Sequence, residues 1–185
     1  REEHTAISKT ESVKCNTLNN IFKNYTIDFL KLDTEGSELS ILQGGSNLLK
    51  KQNILMIKTE FVFFKYYKDH KIFGDIHKFL DNYGYRLIFI DQDQPKYSPI
   101  ESLIPKENDK GLTYAGDAYF CIDFVNKKIS KQNSLRLAAI SLALGYNNLG
   151  FYFLKKSELL SQKEIKIIIQ SLKKVSLLRK FVDLW

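Results

Sequence analysis

Apolar residues fall into two patterns along this chain. Four short, near-continuous apolar runs stand out in the first 125 residues. They are Ile27-Asp28-Phe29-Leu30-Lys31-Leu32-Asp33, Ile54-Leu55-Met56-Ile57-Lys58-Thr59-Glu60, Arg86-Leu87-Ile88-Phe89-Ile90-Asp91 and residues 117–124. Runs of this length, apolar at successive positions, predict strands covered on both faces. Helical spacing fills the gaps between them. Thr17 is placed to cap a short helix over Leu18-Asn19-Asn20-Ile21-Phe22. The stretch from Glu38 to Lys51 carries Leu39, Leu42, Leu48 and Leu49 around a Gly44-Gly45 break. Phe73 to Tyr83 carries Ile76, Phe79 and Leu80 and stops at Gly84, a glycine C-terminal signal. Strands alternating with helices predict βαβ units and an α/β fold with a parallel sheet.

Beyond residue 131 the pattern is helical throughout. One helix is predicted over 135–144, ended by Gly145, and a second over 149–160. A third opens on the capping box Ser161-Gln162-Lys163-Glu164. It sets Ile165, Ile168, Ile169, Leu172 and Val175 on one face and Lys166, Lys173 and Lys180 on the other. Between the third and fourth apolar runs, Gln92 to Gly116 reads as a long polar loop with Pro95, Pro99 and Pro105. Loops of that length are often functional lids. The predicted division is an α/β domain over 1–125 and a helical extension over 126–185.

Charge sharpens that division. Residues 1–125 hold 16 Lys/Arg against 18 Asp/Glu, whereas 126–185 hold 12 against 3. The net charge of +7 therefore belongs to the last third of the chain. Such a tail suits packing on its own domain, an acidic protein partner or the surface of an anionic membrane. It shows no nucleic-acid motif, so nucleic acid is not an expected partner. With 44% apolar residues among 185, the chain has the material for a core. Its two cysteines, Cys15 and Cys121, exclude a disulfide scaffold and a cysteine-built zinc site. Their scarcity suits a reducing, cytoplasmic setting. No apolar run reaches the ~18 residues of a membrane span. Arg1-Glu2-Glu3-His4 is too polar for a signal peptide and lacks an initiator Met, which suggests a fragment or a processed chain.

The densest chemistry is Asp33-Thr34-Glu35-Gly36-Ser37-Glu38, at the carboxyl end of the first predicted strand. Ligands of open α/β sheets bind at that end. Three carboxylates so close repel one another unless a cation or a shared proton offsets them. Gly36 permits a sharp turn. The plain alternative is a solvated strand–helix turn in which Glu38 favours the helix N-terminus. Lys31 lies two residues before Asp33 and points to the same face; it either pairs with Asp33 or reaches past the strand end to solvent. Glu60 ends the second run. His70 follows the aromatic stretch Phe61 to Tyr67 and could face a substrate, whereas His77 is expected on a helix surface. The aromatics themselves are expected mainly as core filler. Asp91-Gln92-Asp93 has the form of a metal-binding Asp-x-Asp, but so small a motif is usually a turn. Oxygen-only sets such as Asp33, Glu35 and Glu60 can attract Mg²⁺ or Ca²⁺; no metal ligand set is assigned.

The block Lys31-Leu32-Asp33-Thr34-Glu35-Gly36-Ser37-Glu38, followed by Leu42-Gln43-Gly44 and Leu48-Leu49, closely resembles the FkbM family of S-adenosylmethionine-dependent methyltransferases. Lys58-Thr59-Glu60, the Leu80 to Tyr85 stretch and Gly116-Asp117-Ala118-Tyr119-Phe120 extend the resemblance over roughly residues 11–124. It implies a Rossmann-like sheet of order 3-2-1-4-5-7-6 in which only strand 7 is antiparallel. The family's glycine-rich cofactor loop follows its first strand, and here no Gly-x-Gly-x-Gly precedes Asp33. The expected architecture is therefore the C-terminal half of that sheet, order 4-5-7-6, with a helical extension. Residues 27–33 would form an open edge with Phe29, Leu30 and Leu32 partly uncovered.

The implied cofactor is S-adenosyl-L-methionine. The implied reaction is O-methylation of a hydroxyl on a sugar, polyketide or related metabolite, with the isolated fragment inactive. Asp33 and Glu35 are the implied catalytic residues, Glu60 and His70 the substrate-binding ones, and Asp33 with Thr34 the cofactor-binding pair. The implied partner is a small-molecule or glycan acceptor, and homo-oligomers are compatible with it. The alternative of a different class is a non-enzymatic helical interaction module on a degenerate Rossmann-like half-domain.

Overall fold

The computed structural model describes residues 9–65, 67–92 and 113–182. Four strands and seven helices are described. They run in the order α1 (Leu18–Ile21), β1 (Ile27–Leu32), α2 (Glu38–Gln43), α3 (Ser46–Lys50), β2 (Ile54–Val62), α4 (Phe73–Asn82), β3 (Tyr85–Gln92), β4 (Ala115–Ile122), α5 (Lys131–Ala143), α6 (Asn147–Ser157) and α7 (Gln162–Val182). Each apolar run is a strand, and they join into one mixed sheet of order β1-β2-β4-β3. β1 and β2 are parallel, with Leu30 beside Ile57 and Leu32 beside Thr59. β4 lies between β2 and β3 and is antiparallel to both.

Local signals account for the element ends. Thr17 accepts a hydrogen bond from the Asn20 amide at 3.3 Å, closing the first turn of α1. The Gly44-Gly45 break separates α2 from α3. Gly84, at φ +75°, ends α4 and leads directly into β3.

The two faces of the sheet follow from strand alternation. Ile57, Phe120 and Leu87 share one face, and Phe120 meets His77 of α4 there. Phe61, on the same face, packs against Phe73 of α4 with ring centroids 4.8 Å apart. The opposite face carries Lys58, Tyr119 and Phe89, and Tyr146, the residue just before α6, closes on both rings. The α5–α6 hairpin thus covers the side that α4 does not. Gly150 makes that hairpin tight, since a Cβ there would run into the Leu142 side chain. Leu137 and Ala138 of α5 and Phe153 and Leu154 of α6 belong to the same buried cluster as Ile54–Ile57 of β2.

Several expectations are corrected. β3 and β4 are 85–92 and 115–122, so Phe124 lies outside its predicted strand. Asp123 ends β4 by accepting from the Val125 and Asn126 amides and pairing with Arg86 at 2.6 Å. Because Gln92 and Ala115 are already in strands, the predicted loop is shorter than 92–116; residues 93–112, with its three prolines, lie outside the described residues. α5 begins at Lys131, four residues early, because Ser130 caps it on the Asn133 amide at 3.1 Å. α6 ends at Ser157, not 160, where Glu158 takes a left-handed φ of 54°. His77 is half-buried, stacked on Phe73. Leu32, expected to be partly uncovered, is 5% exposed, while Phe29 and Leu30 are half-buried as expected.

Candidate functional site

The site is built where the parallel strands β1 and β2 end side by side. The chain leaves β1 at Leu32 and turns through Asp33-Thr34-Glu35-Gly36 into α2. That turn is held from below by Glu38. Its carboxylate accepts the Thr34 amide at 2.7 Å, the Thr34 hydroxyl at 2.8 Å and the Gly36 amide at 3.0 Å. Glu38 is buried, so these bonds replace the water that its charge would otherwise need. Glu35 takes a left-handed φ of 55° and Gly36 a φ of 111°. The Glu35 side chain is exposed there.

Gly36 is required for two reasons. Its φ is one that side chains rarely adopt. Its Cα also faces the Tyr67–His70 pair, where an added Cβ would run into the Tyr67 hydroxyl and come within 3.3 Å of His70 Nε2. The Tyr67 and His70 rings stack at 4.3 Å, and His70 is buried. The loop after β2 therefore seals the back of the acidic turn.

Asp33, Glu35 and Glu60 converge in front of it. Carboxylate oxygens of all three lie within 4.8 Å of one another. Lys31 Nζ reaches Asp33 at 2.6 Å, with both side chains about half exposed. The lysine thus does both of the things expected of it: it extends to solvent and pairs with Asp33. That hydrogen-bonded ammonium holds the Asp33 carboxyl below the usual carboxylate range. Glu60 differs. Burial first, and then the neighbouring Glu35, Asp33, Glu38 and Asp117 carboxylates, push it up to about 7. Convergence of this kind is common among exposed acids without any ion, and no metal ligands are assigned to it.

The face beside Glu60 carries two features that sequence reasoning missed. Lys58 pairs with Asp117 at 2.7 Å and lies over the Tyr119 ring at 5.5 Å. The Asp117 hydrogen bond raises the Lys58 ammonium above its ordinary range. Tyr119, Phe89 and Tyr146 form a wall of three rings next to that pair. The Lys58–Asp117 contact depends on β4 lying against β2. Strand alternation predicts which face each residue takes, but not which strands become neighbours.

The expected site residues are thus distributed as follows. Asp33, Glu35 and Glu60 come together. Thr34, exposed in the same turn, has its hydroxyl hydrogen already given to Glu38. His70 is buried behind Gly36. Asp91 lies in β3 opposite Asp117, and Asp93 is outside the described residues. A separate open groove of about 630 Å³ between β3 and the α5–α6 turn is lined by Ile88, Phe124, Asn147 and Leu149 among others. Its one acid, Tyr146, is pushed up to about 12, chiefly by burial, and suits no proton transfer near neutrality.

Fold and site define an α/β domain whose chemistry is gathered at the carboxyl ends of its parallel strands. Residues 1–87 match the family model described as Methyltransferase FkbM domain. The match contains β1, the acidic turn, β2 and α4, and ends within β3. β4, to which the resemblance in sequence extended, lies beyond it. No curated protein and no solved structure matches the chain. The family match favours a methyltransferase over the non-enzymatic module. Among the described residues no helix is long and apolar enough to cross a membrane.

Proposed function

We propose that the domain serves an S-adenosylmethionine-dependent O-methyltransferase acting on a hydroxyl of a sugar, polyketide or related metabolite. In this reading β1, β2, β4 and β3 are strands 4, 5, 7 and 6 of the family sheet. The observation that carries it is the convergence of Asp33, Glu35 and Glu60 within the family-matched segment. An anionic rim suits a cofactor whose sulfonium and ammonium groups are both cationic. Asp33 and Thr34 would hold the cofactor there, Thr34 through its oxygen lone pairs and its backbone. When bound, the cofactor supplies an electrophilic methyl carbon. The chain must align an acceptor oxygen and dispose of one proton. Asp33 and Glu35 stand nearest the alignment of that oxygen, with Glu60 beside the acceptor. His70 supports the acceptor side by fixing the Gly36 turn. The proposed compartment is the cytoplasm, and the proposed acceptor is a small molecule or glycan. The basic helical extension over 126–185 is proposed as an appendage to the α/β domain that contributes to its packing.

The test, made with the full-length protein, is transfer of tritium from methyl-labelled S-adenosylmethionine to hydroxylated acceptors, with Asp33→Asn alongside. Misorienting an acceptor typically costs on the order of 10²-fold in rate. Asp33→Asn should lose about that much turnover with its thermal midpoint nearly unchanged. Full activity in Asp33→Asn would remove Asp33 from the mechanism.

A further inference from the structure

Resting on the methyltransferase reading for its chemistry, we infer that Glu60 is the group that takes up the acceptor's proton, while Asp33 remains a fixed anion that orients the hydroxyl. The positions of the charges carry this division. Three carboxylates whose oxygens lie within 4.8 Å cannot comfortably all be ionised. The one that keeps a proton is the one with least water and no cation. Asp33 has Lys31 at 2.6 Å. Glu35 is exposed. Glu60 is the least exposed of the three, and no cation among the described residues pairs with it.

The groups around Glu60 come from every element packed against it. The turn after β1 presents Asp33 and Glu35, α2 presents Glu38, and β4 presents Asp117 directly opposite. The two nearby lysines are engaged elsewhere, Lys31 by Asp33 and Lys58, on Glu60's own strand, by Asp117. Behind the turn, Tyr67 and His70 pack on Gly36 and close the rear. Burial and these carboxylates raise Glu60 to about 7, whereas Lys31 holds Asp33 low. A pair of carboxyls driven apart in this way sorts itself into a proton carrier and a permanent charge. A base poised near 7 is also well matched to neutral pH.

The transfer balances. The acceptor O–H bond breaks and its proton bonds to a Glu60 oxygen. The oxygen's electron pair forms the new O–C bond as the C–S pair leaves with sulfur.

The test begins with the chain uniformly labelled at its carboxyl carbons and titrated by NMR, with Glu60→Gln fixing the assignment. Glu60 should titrate near pH 7, and Asp33 below the ordinary Asp value of about 3.9. Asp33→Asn removes one like charge, so the Glu60 midpoint should fall. A Glu60 midpoint near the ordinary value of about 4.3, or one that Asp33→Asn leaves in place, overturns the inference. These titrations need neither cofactor nor acceptor, so their failure leaves the methyltransferase reading standing. In the methyl-transfer assay the wild-type rate should rise with pH through about 7. Glu60→Gln should abolish that limb and lose about 10²–10⁴-fold in rate. A limb that survives in Glu60→Gln also overturns the inference.

Discussion

At Gly36 a single hydrogen atom in place of a side chain lets three structures meet: the acidic turn, the start of α2 and the Tyr67–His70 stack. Gly36→Val should therefore destabilise the fold by roughly 2 kcal/mol or more, combining a strained φ with a collision. Tyr67→Ala should restore part of that loss in a double variant, as read by thermal melts. If it restores none, the backbone alone sets the requirement. Glu60 affects stability in a different way. Unfolded, it releases its proton near the ordinary value of about 4.3; folded, it holds it up to about 7. Between those values the folded chain binds the extra proton, so stability falls as pH rises through the window and the penalty is complete above it. Glu60→Gln removes the penalty. The variant should exceed wild type at pH 8 by on the order of 1 kcal/mol once solvent screening is allowed for. The gain should fade toward pH 4. A gain equal at both pH values would mean that packing, not ionisation, is responsible. The sequence displayed the three acids and even the repulsion between them. It did not display which would keep the proton, because that depends on burial by strands and helices distant in the chain.

Among the elements, the strands were the most legible. Their apolar runs are continuous because α2–α4 cover one face and α5–α6 the other. Helix ends were legible where a capping side chain announced them, as at Thr17 and Ser161. α5 was misjudged because its apolar spacing starts only at Leu135, whereas its backbone is already closed by Ser130. β1 illustrates what only three dimensions reveal. Ile27 donates to Asn53 on the β2 side, so by ladder alternation the Thr26 carbonyl turns to the outer edge. Arg136 of α5 reaches that carbonyl at 3.2 Å and also pairs with Asp28. A helix from the last third of the chain thus places a charge on the open strand, the usual guard against edge-to-edge association. Arg136→Ala should lower stability by no more than about 1 kcal/mol, yet increase self-association measurably in dynamic light scattering. An unchanged hydrodynamic radius at high protein concentration would show that Arg136 does not guard the edge.

For the whole molecule, charge and packing divide the chain differently. The basic residues gather beyond 126, but the core does not end there: Leu137, Ala138, Phe153 and Leu154 are buried with the sheet. A chain ending after Val125 should lose the cover of one sheet face and be insoluble or lack a cooperative melt, whereas one ending after Ser161 should keep its melt with a smaller loss. A soluble, cooperatively folded 1–125 product would show that the hairpin is dispensable. The position of β4 has a further consequence, in time rather than space. β2 and β3 are neighbours in sequence but never bond to each other; the strand between them is made later. A chain leaving the ribosome at about 5–20 residues per second therefore exposes two unjoined strand edges until residues 115–122 emerge. It waits again for α5 and α6 before the second face is closed. Slowing translation within that interval should prolong chaperone engagement, and the same delay placed after residue 160 should matter far less.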